Sequence, residues 1–141
     1  MDSREVFEEA YREMTSGNLD RALDLFSKLL REEPSPEAWV NVGNIFRRMG
    51  FMGKAVESYK EALKLRPDMP EAFFNLGCAL YQMGKYFEAL MMIEKAEKFG
   101  LMDEKVKILR ALCRLKLHEP DALDDLDEDQ KRLVKELMRD G

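Results

Sequence analysis

The sequence contains one histidine and two cysteines, so it is poor in the residues on which most catalytic and metal sites depend. Cys78 and Cys113 are too few and too badly spaced for a zinc knuckle or a redox Cys-x-x-Cys pair. His118 stands alone at the end of a predicted helix, where a surface histidine near a helix C-terminus is expected. No nucleophile has a base at a useful spacing. We therefore expect no enzyme activity, no metal and no cofactor.

Long apolar runs are also lacking. No stretch of about 18 uncharged apolar residues occurs, so we expect no membrane partner. The first five residues are already charged and no apolar segment follows them, so we expect no secretory signal and a cytoplasmic location, where thiols stay reduced. With 141 residues, 45% of them apolar, the chain suffices for one domain or a short repeat array.

Positive charge is in the minority, at 23 bases against 28 acids, for a net charge of −5. Residues 119–129 hold seven acids and no base, so the rest of the chain sums to −5 + 7 = +2. Nucleic-acid binding needs a basic face, and the sequence offers only a small one at Arg47, Arg48 and nearby lysines, so a nucleic-acid partner is the least favoured class. The acidic run lacks the glycine of a calcium-binding loop, and leucines interrupt it, which favours a solvated linker over a calcium site.

What the sequence does have is an internal repeat. Residues 36–69 placed above residues 70–103, a shift of 34, show ten identities. Gly43 then stands over Gly77, and Gly50 over Gly84. Two unrelated amphipathic helices would share an apolar period but not these glycines. A period of this length is typical of stacked helical repeats.

The repeat resembles the tetratricopeptide repeat family. In each unit the resemblance depends on an aromatic residue, an aliphatic residue followed by glycine, and a series of large apolar residues and alanines. These residues are Trp39, Val42, Gly43, Phe46, Ala55, Tyr59, Ala62 and Pro67 in one unit, and Phe73, Leu76, Gly77, Leu80, Ala89, Ile93 and Ala96 in the next. The resemblance implies an all-α fold, an α-solenoid of antiparallel helix pairs wound as a right-handed superhelix.

Weaker copies of the pattern lie on both sides, which predicts an array over residues 1–118. Its repeats are expected at about 3–35, 36–69 and 70–103, with a degenerate unit at 104–118. Helices are predicted near 3–16, 19–32, 36–49, 53–65, 70–83, 86–99 and 103–117. Gly43 and Gly77 fall inside helices, where glycine costs about 1 kcal/mol relative to alanine, so we expect a neighbouring helix to approach closely there.

An acidic linker over 119–126 and a C-terminal capping helix over 127–141 are expected to follow the array. Asp127 and Gln130 have the spacing of a capping box, which predicts a helix of about 127–139. Leu133, Val134 and Leu137 form a narrow apolar stripe on it, as expected of a terminal helix with one face docked.

In the family, certain positions of each first helix line a concave groove, and the resemblance places particular residues there. In one repeat they are Glu37, Val40, Asn41, Asn44, Arg47 and Arg48, and in the next Glu71, Phe74, Asn75, Cys78, Tyr81 and Gln82. The degenerate helix would add some of Lys105, Ile108, Leu109 and Leu112. Amides can hold the backbone of an extended peptide, and aromatic rings supply contact area. The alternative is that the asparagines are generic to the repeat and bond within the array.

One subfamily grips the C-terminal carboxylate of heat-shock chaperones with a Lys-Asn-Asn-Lys-Arg clamp. Here Asn44 and Asn75 match, but Val40 stands at the first lysine position and Leu109 at the arginine position. If the array is counted from residue 3, Phe7 and Tyr11 take the first two places instead. The clamp is incomplete in either register, so chaperone docking is not implied.

The sequence thus predicts a protein-interaction scaffold or adaptor that binds a peptide or protein segment in the groove. The alternative is a structural module that self-associates or caps an assembly through an end helix, with the groove idle. Whether residues 119–129 fold back toward Arg47 and Arg48 as an intramolecular ligand stays open.

Overall fold

The chain folds into helices throughout its length. A computed structural model describes residues 1–140, which form eight α-helices and no strand. The helices are α1 (Ser3–Thr15), α2 (Leu19–Glu32), α3 (Pro36–Arg48), α4 (Met52–Leu65), α5 (Pro70–Gln82), α6 (Tyr86–Lys98), α7 (Glu104–Lys116) and α8 (Glu128–Asp140). Every predicted helix is confirmed to within one residue at each end, and so is the all-α solenoid fold. None of the helices over these residues is both long and apolar enough to cross a bilayer.

Proline and serine mark where the first helices of the repeats begin; these helices, α3 and α5 among them, line the groove and are called the inner helices. Pro36 and Pro70 are the first residues of α3 and α5, where a missing N–H costs nothing because no helical partner would accept from it. The Ser35 hydroxyl accepts a 3.1 Å hydrogen bond from the Ala38 N–H, which satisfies a donor that the helix itself leaves free. These local signals explain why the helix bounds could be predicted.

The turn that ends α5 is repeated at the end of α7, although only the first contains a glycine. Gly84 has φ of 79°, and its N–H donates to the Tyr81 carbonyl at 2.9 Å. His118, 34 residues later, has φ of 61°, and its N–H donates to the Leu115 carbonyl at 2.9 Å. His118 therefore holds the left-handed conformation that glycine adopts without steric cost.

The two helices of a pair approach each other at a glycine. A Cβ on Gly43 would lie 2.7 Å from Cδ1 of Tyr59, and a Cβ on Gly77 would lie 2.8 Å from Cδ1 of Ile93. Both distances are too short for a real contact, so no larger residue fits without movement. The predicted close approach is confirmed, because the missing side chain at each glycine lets the two helices of the α3–α4 and α5–α6 pairs come close together.

The core is built from residues that the helix pairs share. One apolar cluster joins α1, α2 and α3, and a larger one runs from α3 to α8. The repeated alanines Ala55, Ala62, Ala89 and Ala96 are fully buried, which lets the helices pack closely.

The last helix docks through a face other than the predicted one. Its capping box is confirmed, since the Asp127 side chain accepts from the Gln130 N–H at 2.8 Å and the Gln130 side chain accepts from the Asp127 N–H at 3.0 Å. Val134 is fully buried, but Leu133 and Leu137 remain 40% and 43% exposed. The expectation that all three dock was wrong, because α8 uses only the side that carries Val134 and the partly buried Met138.

Ion pairs bind the acidic segment between α7 and α8 to α7. Arg110 pairs with Glu97 of α6 and with Asp125, the latter at 3.0 Å. Arg114 pairs with Glu119 at 2.6 Å, and its other nitrogen lies 3.8 Å from Asp121. The hydrogen bond to Glu119 raises the pKa of Arg114, which keeps this guanidinium charged. The acidic residues thus contact arginines outside the expected groove positions, and not Arg47 or Arg48.

Candidate functional site

Inner helices α3 and α5 carry the predicted groove residues on a shared helical face. The spacing of three or four residues between successive positions aligns them along each helix. Most of these side chains are half-buried, namely Asn41, Asn44, Arg47, Phe74, Asn75, Cys78 and Tyr81. Arg48, Glu71 and Gln82 are exposed. Val40 is 7% exposed and packs in the apolar core.

Asn44 is already bonded inside the array. Its Oδ1 accepts a 2.6 Å hydrogen bond from the hydroxyl of Tyr59, a fully buried residue of α4. Burial raises the pKa of Tyr59, and the nearby Arg47 charge only partly opposes that rise, so the tyrosine remains a donor. Asn44 therefore bonds within the array, as the alternative interpretation of the asparagines expects. Its NH₂ group makes no hydrogen bond within residues 1–140.

Two charged residues of α3 are also committed to the array. Arg48 donates to the backbone carbonyl of Met14 at 2.8 Å, which satisfies an acceptor at the end of α1. Glu37 pairs with Arg66 at 2.8 Å. The Arg48 contact joins the α3–α4 unit to the α1–α2 unit, whereas the Glu37–Arg66 pair lies within the α3–α4 unit. Arg47 hydrogen-bonds with Tyr59 and Cys78 but has no carboxylate partner within residues 1–140.

Asn41 and Asn75 differ from Asn44, since neither side chain makes a hydrogen bond within the described part of the chain. Both are half-buried, and they occupy equivalent positions 34 residues apart on α3 and α5. Each amide offers a donor and an acceptor at a fixed spacing along the groove. This is the arrangement that can hold an extended backbone.

An apolar cavity of about 330 Å³ lies where the groove meets the last two helices. Its lining comes from α5, α7 and α8: Cys78, Glu104, Lys105, Ile108, Leu109, Leu112 and Leu133. The four residues that the resemblance offered from the degenerate helix are all present in this lining. Leu133 was not predicted there, since the apolar stripe of α8 gave no sign that part of it faces away from the core.

The charges at this cavity are of both signs: Glu104 and Lys105 line it, and Asp103 pairs with Lys105 at 3.8 Å. Burial raises the pKa of the Cys78 thiol, and the charge of Arg47, a hydrogen bond with Arg47 and the charge of Lys105 partly offset that rise. Arg47 therefore contacts Cys78, and Lys105 lies near it. The Lys105 ammonium also lies 5.2 Å from the centre of the Phe74 ring, within cation–π range. Arg47 forms no ion pair with any carboxylate of residues 1–140.

The other end of the groove is also partly apolar. Phe7, Glu8, Tyr11 and Arg12 of α1 line an open cleft of about 400 Å³. Phe7 packs edge-on against Phe26 with ring centres 5.3 Å apart, while Tyr11 is exposed. Both residues stand at positions where a carboxylate clamp would place a lysine and an asparagine, so this end carries no clamp.

Comparison with known proteins identifies the repeat. The TPR repeat family matches residues 43–84, and the tetratricopeptide repeat family matches residues 70–99. The chain belongs to the tetratricopeptide repeat (TPR) family. The matched segments run from Gly43, within α3, to Phe99, at the end of α6, and include the Gly43–Tyr59 and Gly77–Ile93 contacts.

Relatives of this TPR protein carry varied names. A TPR repeat-containing protein of Methanocaldococcus jannaschii is 35% identical over 97 residues, or 69% of this chain and 17% of that protein. A protein O-mannosyl-transferase of Homo sapiens is 36% identical over 56% of this chain and 10% of its own length. A photosystem I assembly protein of Acaryochloris marina is 31% identical over 59% of this chain and 52% of its own. The chain thus spans about half or less of these relatives.

Solved structures share the fold at lower identity. The first TPR domain of Spaghetti, bound to an HSP90 peptide, superposes with a TM-score of 0.79 at 18% identity, covering 83% of this chain and 94% of that one. The Sgt2 TPR domain of Aspergillus fumigatus gives 0.78 at 23% identity, covering 84% and 81%. The secretion chaperone SycD of Yersinia enterocolitica, in complex with a peptide of the translocator YopD, gives 0.75 at 19% identity, covering 81% and 93%.

Proposed function

We propose that this TPR chain is a protein-interaction module that binds a peptide or protein segment along the groove of α3, α5 and α7, and that it catalyses no reaction. The observation that carries the proposal is the pair Asn41 and Asn75, whose amides are half-buried, equivalent and without partners in the described chain. A buried polar group gains most from a partner that replaces its lost water, so the pair favours a hydrogen-bonding ligand.

Structures with the same fold support this reading. Two of the similar chains described above were solved with a peptide bound. At under 25% identity they supply the fold alone, so the partner of this chain is a separate question. A cytoplasmic location remains part of the proposal, because the free thiols Cys78 and Cys113 suit a reducing compartment.

A displayed library of random dodecapeptides tests the function even though the natural partner is unidentified. Peptides selected on the full chain are labelled, and their affinity is measured by fluorescence polarisation. Replacing both Asn41 and Asn75 by alanine should weaken binding about tenfold or more, because two hydrogen bonds of about 1 kcal/mol each are lost along with the preorganised spacing.

The matched control is Asn18→Ala, which removes an exposed amide in the turn between α1 and α2. It should leave affinity unchanged. Unaltered affinity in the Asn41/Asn75 double variant, with an unchanged urea transition, would contradict the groove assignment. Asn44→Ala is less informative, since it also removes the acceptor of Tyr59.

A second function, self-association through an end helix, is favoured by one observation. Leu133 and Leu137 lie one turn apart on α8 and are 40% and 43% exposed. Sedimentation velocity over a wide concentration range distinguishes the two functions. A dimer that Leu137→Asp dissociates would support self-association, and a strict monomer would exclude it.

A further inference from the structure

The groove of this chain changes character along its length. Positions separated by the 34-residue period carry Asn41, then Asn75, then Leu109. A second series carries Asn44, then Cys78, then Leu112. In both series the side chain is an amide at α3 and a leucine at α7. A single ligand lying along the groove therefore meets hydrogen-bonding groups at one end and apolar surface at the other.

Helix α8 forms one wall of an open cavity at the apolar end. Leu133 reaches the same space as Ile108, Leu109 and Leu112, and together with Cys78 they bound about 330 Å³. Leu133 is 40% exposed, so the cavity has an open side toward solvent. An aliphatic or aromatic side chain entering there removes apolar surface of both partners from water, which is the most favourable contribution to association.

The nearby charges specify what should accompany that side chain. Arg47 lies beside Cys78 and has no carboxylate partner in the described chain, and Lys105 lies on the same side with its ammonium over Phe74. Glu104 is the one acid in the cavity lining, and Asp103 pairs with Lys105 at 3.8 Å, so Arg47 is the base here that lacks a carboxylate within the described chain. A carboxylate on the ligand complements this part of the groove.

We propose that the groove selects a peptide with an internal apolar side chain that enters the α5–α7–α8 cavity and an acidic side chain close to it that pairs with Arg47. This inference rests on the groove function proposed above and specifies its ligand class. It also explains why a terminal carboxylate is not the expected anchor, since Val40 and Leu109 replace a lysine and an arginine that would hold it.

The test uses the dodecapeptides selected on the full chain. Their consensus should contain a leucine, isoleucine, methionine or phenylalanine within a few residues of an aspartate or glutamate. Replacing the apolar residue of the peptide by alanine should weaken binding about tenfold or more, in line with an anchor residue in an apolar pocket. This measurement leaves the protein unchanged, so it does not depend on the folding of a variant.

Leu133→Asp and Leu137→Asp form a matched pair on the protein. Both residues are similarly exposed and lie on the same helix, but only Leu133 lines the cavity. Leu133→Asp should weaken the selected peptide about tenfold or more, whereas Leu137→Asp should change its affinity less than about twofold. Leu133→Ser replaces the aspartate variant if a shifted urea transition shows that the charge disturbs α8.

The charge pairing has its own control. Arg47→Gln should weaken binding of the selected peptide about fivefold. For a peptide whose acidic residue is replaced by the matching amide, Arg47→Gln should cause no further loss of affinity. Lys107→Gln, an exposed base on α7 outside the cavity, should have no effect. Equal losses for the acidic and amide peptides would overturn the pairing.

The outcomes separate this inference from the general function. Selected peptides that lose affinity in the Asn41/Asn75 double variant but ignore Leu133→Asp would overturn the inference and leave the groove function standing. A library in which no peptide is enriched would overturn the function and the inference with it. Sensitivity to both sets of variants supports both.

Discussion

The Tyr59 hydroxyl, from the second helix of its pair, donates a 2.6 Å hydrogen bond to Asn44 in the groove, and the Tyr59 ring packs on Gly43. The absent side chain of Gly43 is what admits the ring, since a Cβ there would lie 2.7 Å from Tyr59 Cδ1. The glycine of the repeat thus serves both the packing of α3 on α4 and the orientation of a groove residue.

Gly43→Ala should destabilise the fold. Overpacking against a fully buried ring costs about 1–3 kcal/mol, more than the roughly 1 kcal/mol that alanine gains in helix propensity. Urea denaturation followed by circular dichroism measures the change. The control is Gly53→Ala in α4, where a Cβ would meet nothing within 4 Å, so a gain of up to about 1 kcal/mol is expected. Equal stability of the two variants would contradict the packing argument.

His118→Gly should stabilise the chain by about 1 kcal/mol, because glycine adopts the left-handed conformation without the clash that a Cβ brings. The φ of 61° at this exposed residue is the basis for the expectation. The thermal midpoint should rise in the glycine variant and stay near that of the parent in His118→Ala, which retains a Cβ. A decrease in the glycine variant would show that the histidine side chain contributes more than its backbone costs.

Arg110→Met should loosen the segment that leads into α8. The guanidinium is only 20% exposed and pairs with both Glu97 and Asp125, so its loss leaves two carboxylates without their partner. We expect faster amide hydrogen exchange over α8 and a loss of about 1–2 kcal/mol in stability. Arg132→Met is the control, since the Arg132–Asp129 pair is largely solvated and contributes little. Unchanged exchange in α8 would show that the apolar contacts of Val134 and Met138 suffice to hold the helix.

Stability should fall at alkaline pH because of Cys113. Burial, aided by the neighbouring Cys78, raises the pKa of Cys113 from 9.0 to about 12 in the fold. The stabilisation is complete below pH 9 and is lost as the pH rises toward 12, since the unfolded thiol ionises first. The free energy of unfolding should fall by up to about 1.4 kcal/mol per pH unit in that window. Cys113→Ala should show a shallower decline in urea titrations between about pH 8 and pH 10, and identical declines would count against this assignment.

The sequence could predict the helices because their ends are marked locally. Pro36 and Pro70 begin helices and Gly50 and Gly84 end them, and these preferences depend on a few adjacent residues. The turn at His118 carries no such mark and follows from the repeat period instead. Local signals and periodicity therefore accounted for the fold.

The candidate site could be predicted only in part. Repeat positions indicated which residues face the groove, but the partners of Asn44 and Arg48 lie on other helices, 15 and 34 residues away. Contacts of this kind depend on how far the helices are apart, which no pattern in the chain encodes. The same reason hid the role of Leu133, whose position depends on the path of the acidic segment before it.

The cavity has a practical consequence that arises from its one thiol. Cys78 forms part of its wall, whereas Cys113, the other cysteine, is fully buried. A maleimide fluorophore added to the native chain should therefore attach at Cys78 alone, slowly, because burial raises the pKa of that thiol. The sequence thus provides a single labelling site in the wall of the α5–α7–α8 cavity. A fluorophore there reports ligand binding without the introduction of a new cysteine.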